Sequence, residues 1–542
     1  VEILENIEKC TADADCVDTL MRLLETAAAS ADCAVGYAAA DAIRGAVDAI
    51  MDDIQSHIRN KHCVAEFESV PCMGGCPAHV DIPGYIALTR EGRFADAVRV
   101  IRQDNPFPSA CALICEHPCE AVCRRGILDS PVNIRGIKRS AIEGAGEVAP
   151  PRPFASTGKK IAIIGGGPSG LTTAYFLQLM GHQADVFEQR ARLGGMMRYG
   201  IPRYRLPDSY LDSDINAILA TGVSATLNCS IDSDAFRKLK EDYDAIYIAI
   251  GAHAANSLGI EGENADGVLS AVELLRAMGD NDKPDFKGKR VVIVGGGNVA
   301  MDCTRTSMRL GAESVACVYR RRQEDMTALP EEVEGAIAET CELMTMMAPV
   351  RIETDESGKV TALIVQPQIP GPYDRGRPKP VRADVDEVRI PCDIVIAAIG
   401  QAIDSEAFAA VGLQTRRGRI QAGSDCIADN EAMIFTGGDC VSGPSTVIRA
   451  VEAGKTAAAN IDAALGTPHV LPRDVRIPYA SVKIAGPTGR INLKERPAHE
   501  RKDDFALMEG CMTQQEMLQE CSRCLRCDHY GMGSVKGGRK PW

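Results

Sequence analysis

The chain has little aromatic character: Phe, Tyr and Trp make up 4% of its 542 residues, with a single Trp. It has no apolar run near the roughly 20 residues of a membrane helix, and no signal peptide is expected at its start. Basic residues are the minority, 60 Lys and Arg against 74 Asp and Glu, for a formal charge of −14. That balance argues against nucleic acid or an anionic membrane surface as a partner. No cysteine lies between Cys123 and Cys229, and Cys303 has no CxxC partner. This argues against a dithiol relay beside the nucleotide loops described next. Elsewhere cysteine is abundant, 21 in all. In a chain with intracellular nucleotide loops, that count points to metal or redox work rather than a disulfide frame. A reducing cytoplasm and an anaerobic source are expected. The length implies three or more domains.

The stretch from Lys160 to Gln189 organises the rest. An apolar run, Ile161 to Ile164, suits a buried strand. Gly165, Gly167 and Gly170 follow in GxGxxG spacing, with Pro168 and Ser169 between them, and an apolar helical run comes next. A second strand, Ala184 to Phe187, ends on Glu188 and Gln189. The glycines allow a tight turn, close approach to a pyrophosphate and close helix–strand packing. The helix N-terminus offers N–H groups and a positive dipole end to phosphates, and Glu188 stands where an acid accepts from a ribose hydroxyl.

The device recurs from Arg290 to Arg322. A strand is followed by Gly295 and Gly297, with Asn298 and Val299 opening the helix and Ala300 in the third glycine position. The second strand here ends on Tyr319, Arg320, Arg321 and Arg322, with no acid. An acid favours a free 2′-OH, and arginines favour a 2′-phosphate. The first loop therefore reads as FAD and the second as NADP(H), with NAD(H) as the alternative. YIAIG, ending at Gly251, marks the crossover into the second nucleotide domain. DIVIAAIG, ending at Gly400, is the return strand.

Cysteines concentrate outside these loops. Cys72 and Cys76 flank Met-Gly-Gly, and Cys111, Cys115, Cys119 and Cys123 follow at intervals of four. Residues four apart share a helix face, although Pro118 interrupts a continuous helix. Between the two groups, Ile82 to Ile101 reads as two helices broken at Gly92. Thiolates in such numbers select iron–sulfur clusters or zinc, and a neighbouring flavin that needs an electron exit favours iron–sulfur. The tail carries Cys521, Cys524 and Cys527 as CxxCxxC, a partial cluster site. Its fourth ligand is left open among Cys511, His529 and a partner chain. At the other end stand Cys10, Cys16 and Cys33, within a unit whose Leu20–Ala28 and Asp41–Ile58 have helical apolar spacing.

Residues 70 to 470 resemble the glutamate synthase small-subunit family. That family includes the large subunit of NADH-dependent ferredoxin:NADP oxidoreductase and the N-terminal part of dihydropyrimidine dehydrogenase. The resemblance rests on CPAHVDIPGYI (76–86), NPFPSACALICEHPCEAVCRRG (105–126), GGGPSG (165–170) and GGMMRYGIPRYRLP (194–207). GGGNVAMD (295–302), VYRR (318–321), AAIGQ (397–401) and FTGGDCVSGPST (435–446) complete it. Residues 1–62 are similar to the C-terminal iron–sulfur region of the NADH-binding subunit of respiratory complex I. There Asp13 replaces a middle cysteine, and a metal-free docking bundle is the alternative.

The resemblance implies two [4Fe–4S] clusters in the cysteine-dense domain. The usual CxxC ahead of Cys72 is missing, so a second cluster needs Cys63, His62 or another ligand. Lys138 stands where some members supply Gln or Glu. Gly194 and Gly195 are implied as a second flavin-phosphate contact, with Met196 to Ile201, including Arg198, beside the isoalloxazine. Gly438 and Asp439 are implied at the ribityl chain, and Ser445 and Thr446 start a helix aimed at the flavin O2 edge. No catalytic side chain is expected, because the flavin supplies the chemistry.

The expected fold is α/β, with two Rossmann-like nucleotide-binding domains preceded by α-helical iron–sulfur domains. The expected order is a helical iron–sulfur or docking segment over 1–62, a helical Fe–S domain over 63–155 and an FAD domain over 156–285 and 396–470. An NADP(H) domain is inserted at 286–395, and a CxxCxxC segment covers 471–542. The leading functional expectation is a diaphorase subunit passing electrons between NADPH and the clusters of a hetero-oligomeric complex. An electron-bifurcating flavin subunit is the second reading. A structural relay or docking subunit with decayed nucleotide sites is the third.

Overall fold

The structure, a computed structural model, describes residues 3, 15–49, 51, 54, 58, 70–374, 377–423, 425–428, 432–466, 468–480, 486 and 488–529. It divides into two units, Val1–Ser69 and Val70–Trp542. In the first, helices α1 (Cys16–Ala29) and α2 (Ala34–Ala49) pack as a hairpin. Leu20, Leu24, Val47 and Ile54 form its small core. The second helix begins earlier than its apolar spacing suggests, because Ala and Gly in its first turns carry no strong hydrophobic signal.

The second unit opens with the cysteine-dense helices: α3 (Pro71–Gly74), α4 (Ile82–Arg90), α5 (Phe94–Arg102), α6 (Pro108–Ile114), α7 (Pro118–Ala121) and α8 (Ile134–Ala145). The break between α4 and α5 falls at Gly92, whose φ of +74° suits glycine. Their core joins Tyr85, Phe107 and Ile137 to the flank of the first nucleotide domain.

The first nucleotide domain is a five-stranded parallel sheet. Its strands are β1 (Lys160–Ile164), β2 (Gln183–Phe187), β3 (Ser224–Thr226), β4 (Ala245–Ile248) and a late strand, Ile434–Thr436, that lies beside β4. Four of the five β1 residues are buried, as the continuous apolar run of a two-sided parallel strand requires. Helices α9 (Pro168–Leu179) and α10 (Asp208–Leu219) follow β1 and β2.

A second five-stranded parallel sheet is inserted between β4 and Ile434–Thr436. It joins β5 (Val268–Ser270), β6 (Arg290–Val294), β7 (Ser314–Tyr319), β8 (Glu342–Thr345) and the return strand Ile394–Ala397. Because β5 pairs with the return strand, residues 268–285 belong with this sheet, whereas the expected boundary lay at 285. A ribbon of Ala254–Ala255 against Gln401–Ala402 ties the outgoing and returning chains together. An antiparallel sheet spanning 347–391 extends the inserted domain. Ala362 to Gln366 are buried in succession in its long strand, Val360–Asp374.

After helix α11 (Val447–Ala464) the tail returns over the cysteine-dense helices and ends in helix α12 (Gln514–Ser522). Among the described residues no helix is long and apolar enough to cross a membrane.

Candidate functional site

The first glycine loop forms one wall of a long cleft. Gly165, Gly167, Pro168, Ser169, Glu188, Gln189, Gly195, Gly251 and Asp439 line it. Gly165 has φ +111°, and a Cβ there would come within 2.4 Å of the Ala249 carbonyl. A Cβ on Gly170 would meet the Gly165 carbonyl at 2.0 Å, so this third glycine packs helix on strand. Gly195 faces Gly167 across the cleft; an added Cβ would lie 2.6 Å from the Gly167 Cα.

Glu188 is buried and accepts from the backbone N–H groups of Gly166 at 2.8 Å and Arg190 at 2.9 Å. Burial raises its pKa against these bonds. Asp439 lies opposite, its pKa pushed by burial to about 6 although the Ser445 N–H steadies the carboxylate. Thr446 caps α11, and Gly438 takes φ +73° against Ser169.

Some expected contacts serve other ends. Ser169 Oγ shares a 2.7 Å hydrogen bond with Tyr247. Arg198 does not line the cleft: its Nε donates to the Leu193 carbonyl at 2.7 Å, and its guanidinium pairs with Asp208 and Asp212. Ile201 packs against the large apolar core. Among the lining residues that sequence reasoning missed, three can carry charge on nitrogen: Arg190, His253 and Arg276. Only Arg190, directly after Glu188 and Gln189, stood where a motif pointed. Its Nε is buried with no hydrogen-bond partner, and together with the paired glycines it fits a pyrophosphate. His253 is held down to about pH 4 by burial and the two arginines, so it is neutral in the cleft at pH 7.

In the second loop, a Cβ on Gly295 would meet the Ala398 carbonyl at 2.3 Å, and Gly297 caps the following helix, Asn298–Arg309. The Asn298 side chain is engaged on both sides. Its Oδ1 accepts from the Leu329 N–H and its Nδ2 donates to Glu116, each at 2.8 Å. Val299 packs into the local core, leaving its backbone for a ligand. Arg322 is held by Asp325 and Glu324. Arg321 gives only its Nε, to the Pro378 carbonyl at 3.3 Å, and Arg320 is exposed. The arginines able to meet a 2′-phosphate are therefore Arg320 and Arg321. Gly400 keeps φ +115° at the return.

The six N-terminal cysteines do not share one helix face. Cys111 lies in α6, Cys115 caps it in extended conformation, His117 takes φ +44° and Cys119 sits in α7. The turn at Pro118 thus folds the run back on itself. Cys76, Cys111, Cys115 and Cys119 come together around the buried Lys138, whose ammonium interacts with all four thiolates. Burial raises the Cys76, Cys111 and Cys119 thiols, and Lys138 opposes it. An all-thiol set with one buried cation fits a cluster carrying net negative charge. No three described cysteine sulfurs lie within 4.8 Å of one another. A tetrahedral zinc, with Zn–S of about 2.3 Å, needs them about 3.8 Å apart.

Cys72 and Cys123 line a cavity together with Cys524 and Cys527, and Cys119 of the first set lies close to Cys72. Cys521 lies in α12 and borders a second cavity together with Cys524; burial and the neighbouring Cys524 raise its pKa.

In the N-terminal unit, Cys10 lies outside the described residues. Cys16 begins α1, and Cys33 is exposed in the turn after it, where the Val35 and Gly36 N–H groups lower its pKa. Helix α1 rises about 1.5 Å per residue, roughly 20 Å over its length. Cys16 and Cys33 therefore stand at opposite ends of α1.

The model for the pyridine nucleotide-disulphide oxidoreductase family matches residues 159–454. The model for dihydropyrimidine dehydrogenase domain II, 4Fe-4S cluster, matches 46–148. The chain is 37% identical over 510 residues to the NADP(+)-dependent formate dehydrogenase subunit beta of Moorella thermoacetica, covering 87% of this chain and 72% of that one. It is 33% identical to the NADPH-Fe(3+) oxidoreductase subunit beta of Geobacter sulfurreducens, covering 97% and 85%. It is 35% identical to the glutamate synthase [NADPH] small chain of Escherichia coli, covering 72% and 87%. Among solved structures, Mycobacterium tuberculosis FprA in complex with NADPH is similar in fold. Its TM-score is 0.50 at 18% identity, over 58% of this chain and 85% of that one.

Proposed function

This chain belongs to the pyridine nucleotide-disulphide oxidoreductase family, and from that premise we propose that it is the diaphorase subunit of a hetero-oligomeric redox complex. It is an NAD(P)H-dependent oxidoreductase whose cofactors are FAD, NADP(H) and [4Fe–4S]. FAD, when bound, accepts the electron pair of NADPH and parts with electrons singly. The chain's own residues supply position and field. Gly165, Gly167 and Gly195 cradle the flavin pyrophosphate, Glu188 and Asp439 meet its hydroxyls, and Arg320 and Arg321 select the phosphorylated nicotinamide dinucleotide. Cys76, Cys111, Cys115 and Cys119 hold the cluster beside Lys138.

The observation that carries this reading is the hydrogen bond from Asn298 to Glu116. It joins the first turn of the second nucleotide helix to the residue after Cys115, so the hydride donor's site and the electron exit are built against each other. The beta-subunit names of the Moorella and Geobacter relatives support a partner subunit that holds the terminal acceptor or donor.

Anaerobic spectra test the reading. NADPH should bleach a bound flavin. Cys76→Ala or Cys115→Ala should leave that bleaching intact while transfer to a one-electron acceptor collapses. A chain that binds zinc and no iron, or whose flavin NADPH leaves oxidised, would defeat it.

A further inference from the structure

Two cysteines of the N-terminal domain are left over from the set around Lys138, and the sequence offers them no second pair nearby. We propose that Cys72, Cys123, Cys524 and Cys527, which line one internal cavity, are the four ligands of a second [4Fe–4S] cluster. The tail then supplies the pair that the missing upstream CxxC would otherwise provide. This rests on the iron–sulfur reading above and extends it to residues at opposite ends of the chain.

Three observations place these thiols together. The remaining wall of the cavity is apolar, with Ile82, Ile86, Val132 and Ile134 beside Arg124 and Arg125. All four cysteines are without disulfide partners. They are also close in space: Cys72 lies within reach of the charges of Cys524, Cys119, Cys123 and Cys527, and both tail cysteines within reach of Cys123. Soft thiolates arranged around such a space are the donor set of an iron–sulfur centre.

The backbone is built to bring them there. Gly75, between Cys72 and Cys76, lets α3 press on the segment after α7; a Cβ would meet the Val122 side chain at 2.4 Å. On the tail side, Arg523 is fully buried immediately before Cys524. It pairs with Glu520 at 2.6 Å and with Asp129 at 2.9 Å. Glu520 in turn accepts from the Asn133 N–H at 2.7 Å and the Ile491 N–H at 2.8 Å. Arg125, also buried, pairs with Asp129 at 2.7 Å. This network fixes the tail on the loop after Cys123. Cys521, in the same motif, does not line this cavity; it borders a second one that Cys524 shares, and it stands outside the proposed ligand set.

The two sets are neighbours. Cys72 lies in α3 and Cys76 just after it, and the buried Tyr85 lies among Cys72, Cys76 and Cys119. The second centre would therefore receive electrons from the first and present them at the tail.

Iron and acid-labile sulfide are to be counted per chain on anaerobically reconstituted full-length protein, with FAD content as the folding control. Cys524→Ala/Cys527→Ala should lose about four irons. Cys72→Ala should lose the same four, and the triple variant no more. Cys76→Ala should remove a different four, and Cys521→Ala none. Full iron retention in the tail variant, or additive losses with Cys72→Ala, overturns the assignment while the first cluster stands. A wild type without iron overturns both readings. Should a variant not fold, stepwise chelation of the wild type with alkylation mapping decides. Cys72, Cys123, Cys524 and Cys527 should become reactive together, and separate release overturns the proposal.

Discussion

At the scale of single residues, charge decides what each nucleotide loop accepts. Of three consecutive arginines after β7, only Arg320 and Arg321 retain donors for a ligand, since Asp325 and Glu324 hold Arg322. A charge-assisted phosphate contact contributes roughly 1.5–3 kcal/mol. Arg320→Ala/Arg321→Ala should therefore raise KM for NADPH by tens-fold or more with little effect on NADH, and Arg322→Ala should not discriminate. Steady-state kinetics with both nucleotides check this, and equal effects on the two would remove the assignment.

Asp439 is the corresponding residue in the first site. With its hydrogen bond to a ribityl hydroxyl lost, Asp439→Ala should hold FAD roughly 10- to 150-fold more weakly. Burial places its titration near pH 6. The hydroxyl donates best to the ionised form, so FAD affinity of the apoprotein should fall as pH drops through about 6. Asp439→Asn should be flat over that range in a fluorescence titration.

At the scale of elements, helices are held by side chains from distant parts of the chain. Asp214 of α10 accepts from the Ser109 and Ala110 N–H groups at 3.2 and 2.9 Å, closing the start of α6 from another domain. The NADP-side helix Asn298–Arg309 is bound similarly. Arg305 and Arg309 share the buried Glu339, and Arg501 of the tail joins them at 2.7 Å. The tail helix α12 depends on Glu520. Removing one member of a buried, hydrogen-bonded ion pair costs about 3–5 kcal/mol. Glu520→Ala should lower the melting temperature and open the tail to trypsin near Arg523 and Arg526. A tail that stays protease-resistant would show that the network is not what holds it.

At the scale of the whole molecule, the N-terminal hairpin is a compact unit of its own, and Val35 and Tyr37 stand 77% and 58% exposed on it. Such residues on a small helical unit suit contact with a partner subunit. Deleting 1–62 should spare NADPH-dependent dye reduction and abolish assembly with that partner, measured by size-exclusion chromatography of the co-expressed complex. A native enzyme that is a homo-oligomer of this chain alone, with full activity, would refute the assembly.

Local pattern was enough for much of this protein. Two glycine loops, each fixed by a strand before it and a helix after it, name a dinucleotide fold within about thirty residues, because turn, phosphate approach and packing all act locally. The charge after each second strand distinguishes their ligands for the same reason. The break at Gly92 was equally legible. Local pattern failed where function is assembled from afar. Spacing of four puts Cys111 and Cys115 on one helix face and Pro118 announces the break before Cys119, but the left-handed His117 that folds the run back was not legible. CxxCxxC suggested one site, yet Cys524 and Cys527 line the cavity of Cys72 and Cys123, and Cys521 borders a second cavity that Cys524 shares. Arg198 read as a flavin contact and pairs in the structure with Asp208 and Asp212, ten and fourteen residues away, whose claim on it no motif records. The meeting of Cys72 and Cys123 with the tail was decided by tertiary structure alone, because it depends on buried ion pairs joining residues near 129 to residues near 523. Sequence determines which chemistries a segment can hold; which segments meet is determined by the packing that buries their charges.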